Sequence, residues 1–277
     1  MGLISTLLRQ LNKSRKRILV CGDVMVDHWV RGNVESCQDG CPKFVQKSYC
    51  TRPGGAGNAA RCLKNWSVDT ELFGQLGQDR PEKWRFVDAD GKIAFRWDDE
   101  AHLSVVDRLH YKWSYDQSLE LVKSALVAGV LLSDYDKGFL SPELIHQVAD
   151  LCWSEGIPCV ADVKRAPTTY AKCILKSNED WYLRHGIASV VTRGADSPLV
   201  SGLPLDQYYP CVKCVNHVGA GDCFSAHLVL GLTYGLSLKD SAAIAHSAGR
   251  VYVQHPYNRP PRPAEIMADM SNAFTAS

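Results

Sequence analysis

The sequence predicts an α/β fold: a mostly parallel sheet covered on both faces by helices, with a small antiparallel β patch set beside it. Three observations carry that reading. Short apolar runs alternate with helical stretches along most of the chain, the rhythm of strands joined by crossover helices. The runs are apolar almost throughout, as strands buried on both faces are. Residues 28–50 and 84–98 break the rhythm with alternating stretches such as WVRGNV, KFVQKSY and KIAFRW, which suit half-exposed antiparallel strands.

Taken in order, MGLISTLLRQLNKSRKR reads as a short amphipathic helix. Its apolar part precedes its basic part, the reverse of a secretory signal, so a cytoplasmic protein is expected. Strands are expected at 17–23, 70–76, 129–135, 157–163, 173–175 and 187–194, and helices at 56–66, 116–127, 141–155, 220–235 and 239–254. Asp90-Gly91 marks a hairpin turn within the second alternating region. No linker, internal repeat or low-complexity tract divides the chain. Residues 1–277 therefore read as one domain, with the segments near 28–50 and 84–98 as a lid.

Composition removes several classes of function. A formal net charge of +1 over 277 residues gives no footprint for nucleic acid. No apolar run approaches the roughly 20 residues needed to cross a bilayer, so no membrane partner is expected. Eleven cysteines in a chain this long do not describe a disulfide-stapled mini-domain. Cys211 and Cys214 make one CxxC, short of the two pairs usual for structural zinc. His217 and Cys223 are the nearest further ligands, and the competing reading is a strand whose cysteines stand two apart.

The chemistry is concentrated in glycine-rich turns. Gly219-Ala220-Gly221-Asp222 opens an apolar helical run. Its glycines allow a tight turn and close approach to a ligand, and the free N–H groups of a helix start favour an anion. Asp222 is placed to take a proton from an attacking hydroxyl. Arg52-Pro53-Gly54-Gly55-Ala56-Gly57-Asn58 opens a second helix, with an asparagine amide that suits sugar hydroxyls. Asp23 and Asp27 follow the first strand, and Ser133-Asp134-Tyr135-Asp136-Lys137-Gly138 follows another. These are the strand ends where open α/β sheets hold ligands.

In this order the motifs GDVMVD, PGGAGNAA, LLSDYDKG, ADVK, VVTRG and VGAGD resemble the ribokinase/PfkB family of sugar kinases over nearly the whole chain. The wording is most similar to the bacterial heptose-phosphate kinases, including the kinase half of bifunctional heptose kinase/adenylyltransferases. The resemblance implies a ribokinase-like three-layer sandwich with a β lid, and ATP-dependent phosphorylation of a sugar or sugar phosphate with Mg²⁺. It implies Asp222 as base and Gly219, Ala220 and Gly221 as the anion hole. It places Asp27, Gly54, Gly55, Asn58, Asp134 and Lys137 at the sugar, and Lys164, Asn178, Thr192 and Gly194 at the nucleotide. The lid strands offer a homodimer surface, as in some relatives.

Several positions depart from the family pattern. Asn216 stands where K⁺-using relatives carry an aspartate, which argues against a monovalent cation. The metal-organising Asn-x-x-Glu motif reads Asn178-Glu179-Asp180-Trp181, leaving Glu179 and Asp180 as candidate Mg²⁺ carboxylates. The 79–134 region is short, residues 36–42 lack the sugar-binding arginine and glutamate, and His255-Pro256-Tyr257-Asn258-Arg259 replaces a glycine-rich strand. An alternative reading follows: a sugar- or nucleotide-binding protein that kept the kinase fold with impaired turnover.

Overall fold

A computed structural model describes residues 2–36, 40–75, 80–100, 112–124 and 126–275. Helix α1 (Leu3–Lys13) precedes β1 (Arg17–Gly22), which runs almost directly into the long pair β2 (Val24–Ser36) and β3 (Pro42–Gly55). Then come α2 (Ala56–Lys64), β4 (Asp69–Phe73), β5 (Glu82–Val87), β6 (Ile93–Asp99) and α3 (Lys112–Lys123). An alternating segment follows: β7 (Gly129–Ser133), α4 (Pro142–Ser154), β8 (Cys159–Asp162), β9 (Ile174–Asn178), α5 (Glu179–His185) and β10 (Val190–Arg193). The chain closes with β11 (Asp196–Val200), β12 (Leu203–Pro204), β13 (Gln207–Tyr208), α6 (Ala220–Thr233), α7 (Leu238–Val253), α8 (Pro263–Ser271) and β14 (Phe274–Thr275).

The main sheet has the order β12-β11-β10-β9-β8-β7-β1-β4. Every pair from β4 to β10 is parallel, and β11 and β12 add antiparallel edge strands. Residues of β7 and β8 are buried at every position, which explains their unbroken apolar runs. One face packs on α1, α2, α6, α7 and α8 through residues such as Leu7, Leu63, Leu228 and Ile244. The other packs on α3, α4 and α5 through Val122, Ile145, Val148 and Trp181. Truncating one of these fully buried leucines costs about 2–5 kcal/mol.

The expected lid is a four-stranded sheet of order β3-β2-β5-β6. Its hairpins β2–β3 and β5–β6 are antiparallel, and Gly91 at φ +83° closes the second at the expected Asp-Gly turn. The two hairpins join through a parallel β2–β5 pair, which local alternation in the sequence does not reveal. Residues 37–39, within the loop expected to differ from the family, lie outside the described residues.

Other expectations need correcting. No strand forms around Cys211 and Cys214, which are exposed in an irregular segment, whereas Cys223 is buried inside α6. Helices α5 and α8 were not anticipated. They are short, and local caps define them: Asn178 Oδ1 accepts from Trp181 N at 3.0 Å, and Glu265 Oε2 from Arg262 N at 2.7 Å. No helix among the described residues is long and apolar enough to cross a membrane.

Candidate active site

Helix α6 is placed by its own buried polar groups. Trp66, just beyond α2, donates from Nε1 to His227 Nε2 at 2.9 Å, and His227 Nδ1 lies 2.7 Å from the Cys223 carbonyl. Burial pulls His227 down to about 4, so the ring is neutral and serves as a strut between α2 and α6.

The start of α6 is shaped by Gly219 at φ +83°, a backbone state that L side chains avoid. A Cβ there would sit 2.4 Å from the Tyr252 hydroxyl and 2.5 Å from Asn58 Nδ2. The Ala220 amide is committed to the His217 carbonyl at 3.1 Å. Among the described residues no acceptor takes the amides of Gly219, Gly221 or Asp222. Of the amides expected to form the anion hole, those of Gly219, Gly221 and Asp222 are thus free among the described residues, and that of Ala220 is engaged in the turn.

Asp222 is buried, and each carboxylate oxygen has one neutral donor. The Tyr135 hydroxyl donates to Oδ1 at 2.5 Å and Asn58 Nδ2 to Oδ2 at 3.1 Å. Burial raises the carboxyl to about 7. The two hydrogen bonds hold it down and the charges of Asp162 and Asp27 push it further up. A carboxylate poised near neutrality is suited to general-base work.

Asn58, expected at the sugar, is tied to several protein groups. It is fully buried, and Nδ2 is shared between Asp222, the Gly219 carbonyl at 3.2 Å and the Tyr252 hydroxyl at 3.0 Å. Its geometry ties α2 to the Asp222 turn, with Oδ1 buried and unpaired. Its amide nitrogen thus holds the Asp222 carboxylate from the α2 side.

Behind the turn stands a cluster that sequence reasoning missed. Lys176 Nζ contacts Asp162 Oδ2 at 2.9 Å, Ser225 Oγ donates to the same oxygen at 2.9 Å, and all three are buried. A Cβ on Gly221 would lie 3.2 Å from Lys176 Nζ, so the ammonium, paired with Asp162, lies beside the Gly221 backbone. Its signal was the ADVK strand end, which led to Lys164 instead. Lys164 Nζ and the largely buried Lys83 Nζ lie 5.2 and 5.6 Å from the centroid of the Tyr135 ring. Burial pulls the Lys83 ammonium below its usual range.

The remaining expected residues fall into three groups. Asp27 is buried between Arg85 Nη1 at 2.6 Å and Asn258 Nδ2 at 2.7 Å. Gly54 has no room for a side chain, since a Cβ would be 2.8 Å from Asp27 Oδ2. Gly55 at φ +55° turns β3 into α2 against the Asp23 carbonyl.

Asp134 is fully buried and taken by protein groups: the Tyr170 hydroxyl at 2.6 Å, the Asp136 amide at 2.8 Å and Arg165 at 3.0 Å. Its role here is to fold the loop after β7. Asp23 does the same, accepting from the amides of Tyr135, Lys137 and Phe139 and from Gln75. Lys137 pairs with Glu100 at 2.6 Å.

Asn178 caps α5 at the end of β9. Beside it, Thr192 Oγ1 donates to the Ser177 carbonyl at 3.1 Å, and Gly194 turns at φ +60°. Glu179 and Asp180 are exposed on the first turn of α5. No group of three or more His, Cys, Asp or Glu side chains able to hold a metal occurs among the described residues. Trp181, at the family's glutamate position, is buried and donates to the Arg165 carbonyl at 3.0 Å. Asn216 Oδ1 accepts from Val218 N at 3.0 Å, which turns its amide nitrogen toward Asn258 Oδ1 at 3.1 Å.

Comparison with known proteins agrees with this arrangement. The family described as pfkB family carbohydrate kinase matches residues 182–265, the segment containing the Gly219–Asp222 turn. The bifunctional protein HldE of Granulibacter bethesdensis is 31% identical over 188 residues, covering 55% of this chain and 36% of that protein. HldE of Methylobacillus flagellatus is 25% identical over 317 residues, covering 94% of this chain and 64% of that protein. The chain thus spans less than two thirds of the length of these curated relatives. Among solved structures, Arabidopsis thaliana ribokinase complexed with ribose and ATP superposes with a TM-score of 0.66 at 18% identity, covering 93% and 99% of the two chains. Escherichia coli phosphofructokinase-2 in complex with substrates and products gives 0.69 at 16%, again covering 93% and 99%. The fold is ribokinase-like.

Proposed function

From the premise that the chain is a pfkB-family carbohydrate-kinase relative on the ribokinase-like fold, we propose that it transfers the γ-phosphoryl group of ATP to a hydroxyl of a sugar or sugar phosphate. The observation that carries the reading is Asp222. It is a buried carboxyl raised to about 7, one residue beyond free backbone amides at a helix start. The substrate hydroxyl approaches Asp222 and gives up its proton as it attacks phosphorus. The amides of Gly219, Gly221 and Asp222, with Lys176 behind them, receive the charge on the transferring group. Lys83 and Lys164, flanking Tyr135, bring further positive charge to the same end of the sheet.

The whole chain acts as one kinase unit, with the four-stranded sheet as lid. Its closure excludes water, the competing acceptor. Nucleotide-bound Mg²⁺ neutralises phosphate charge. Glu179 and Asp180, exposed beyond the end of β9, are the carboxylates that would help hold it. An amide at Asn216 in place of a carboxylate argues against a K⁺ requirement.

Purified protein with Mg-ATP and a panel of sugars and sugar phosphates, heptose 7-phosphate included, is expected to release ADP only when one acceptor is present. Trp181 in the metal-organising position favours the second reading, a binding protein with impaired turnover. Sugar binding without any ADP release would establish that reading instead.

A further inference from the structure

A cavity of about 500 Å³ lies between the end of β3, the second turn of α2 and the segment after α7. Three of its lining side chains are arginines: Arg52, Arg61 and Arg259. Arg259 is balanced by Glu265 at 2.6 Å. The other two have no carboxylate among the described residues. Arg52 donates only to the adjacent Thr51 carbonyl at 2.8 Å, and Arg61 makes a long 3.5 Å contact to the Asn258 carbonyl. Arg61 is half-buried, and burial, with the Arg52 charge behind it, pulls its guanidinium below the usual range. Two unneutralised guanidinium forks in one concavity are a ready-made anion site, since the fork matches phosphate or carboxylate oxygens two at a time.

The backbone supports the same conclusion. Tyr257 and Asn258 both adopt positive φ, +58° and +54°, a state uncommon for tyrosine and readily tolerated by asparagine. It turns the Asn258 carbonyl toward Arg61 while the Asn258 side chain reaches Asp27 at 2.7 Å. Arg52 is the direct cross-strand partner of Asp27, so their side chains lie on one face of the lid sheet. The cavity therefore adjoins the Asp27 end of the active site.

We propose that Arg52 and Arg61, with Arg259 at the rim, form an anion subsite that takes a phosphate group. That phosphate belongs either to a phosphorylated sugar whose ring reaches Asp27, or to a free effector. The proposal deepens the kinase reading and rests on it only for the sugar part of the ligand.

The test is calorimetric binding to the full chain without ATP, so its outcome does not depend on turnover. Inorganic phosphate, heptose 7-phosphate and free heptose are the probes. Heptose 7-phosphate or inorganic phosphate is expected to bind. Arg52→Gln should weaken that binding about tenfold or more, the usual loss for one charge-assisted contact, and Arg52→Gln/Arg61→Gln should abolish it. Among the described residues the Arg52 side chain donates only to its neighbour's carbonyl, so the single variant tests the site even where the double variant folds poorly. Heptose 7-phosphate that binds more tightly than free heptose and displaces inorganic phosphate identifies a substrate subsite. Inorganic phosphate that stays bound beside the sugar phosphate identifies an effector site. Wild-type protein that binds neither anion overturns the proposal, as does anion binding that is equal in wild type and Arg52→Gln.

Discussion

The Asp222 turn and the rim along residues 256–259 handle charge in opposite ways. At the turn a carboxylate is buried, held by two neutral donors and pushed toward neutrality by desolvation. At the rim, Arg52 and Arg61 remain partly open and pair with no carboxylate among the described residues. The first arrangement tunes a proton acceptor before any ligand arrives. The second leaves charge for a ligand to complete. On the proposed reading, reaction chemistry and substrate choice would sit in two regions built on different physics, and substitutions should separate them.

The largest expected effect is at the carboxylate. Asp222→Asn should lower the turnover rate by roughly 10²–10⁴-fold, the usual worth of a general base, while nucleotide binding, measured by titration, is retained. The same variant should be more stable at pH 8. The Asp222 carboxyl is raised from 3.8 to about 7 in the fold, so the native state holds the proton that the unfolded chain has released. Stability is therefore lost as pH rises between those values, by on the order of 4 kcal/mol at most. Asparagine removes that loss, and a thermal melt at pH 8 should show a midpoint several degrees higher. A variant that melts lower and loses nucleotide binding would make Asp222 a structural residue.

Next in size is Gly219→Ala. It meets both a positive φ and a Cβ position 2.4 Å from the Tyr252 hydroxyl. A stability loss of about 1–3 kcal/mol by denaturant unfolding is expected, with most of the turnover gone because the free amides move. The smallest effect is Tyr135→Phe. Removing the 2.5 Å donor to Asp222 Oδ1 should raise the carboxyl further and shift the acid limb of the rate profile upward by up to about one pH unit. At high pH the rate should change little. Arg52→Gln, by contrast, should leave that limb where it is.

Much of the frame was legible in the sequence, because parallel strands buried on both faces carry their own signature. The runs at 17–23, 129–135 and 157–163 led to β1, β7 and β8 within two residues at either end. The glycine-rich turns were legible for a similar local reason, and Gly219 and Gly55 both take the positive φ their setting requires. What stayed hidden depends on distant parts of the chain. Lys176 reaches Asp162 across two strands, Tyr135 reaches Asp222 across 87 positions, and Asn258 reaches Asp27 across 231. Asn58, at a helix start, and Asp134, at a strand end, were expected at the ligand from their polar groups and from the family resemblance. Their partners, Tyr252 and Tyr170, are supplied by later segments that no local spacing predicts. The parallel β2–β5 pairing was hidden for the same reason, since each hairpin is complete locally.

The central claim is that Asp222 is a base poised near neutrality, and the pH dependence of kcat/KM for acceptor-dependent ADP release tests it most directly. Ionisation of a carboxyl raised to about 7 predicts a rate that climbs tenfold per pH unit below about 7 and levels above it. The inflection should vanish along with the turnover in Asp222→Asn. A wild-type profile that stays level from pH 5 to 8, or a residual Asp222→Asn rate with the same inflection, would contradict it.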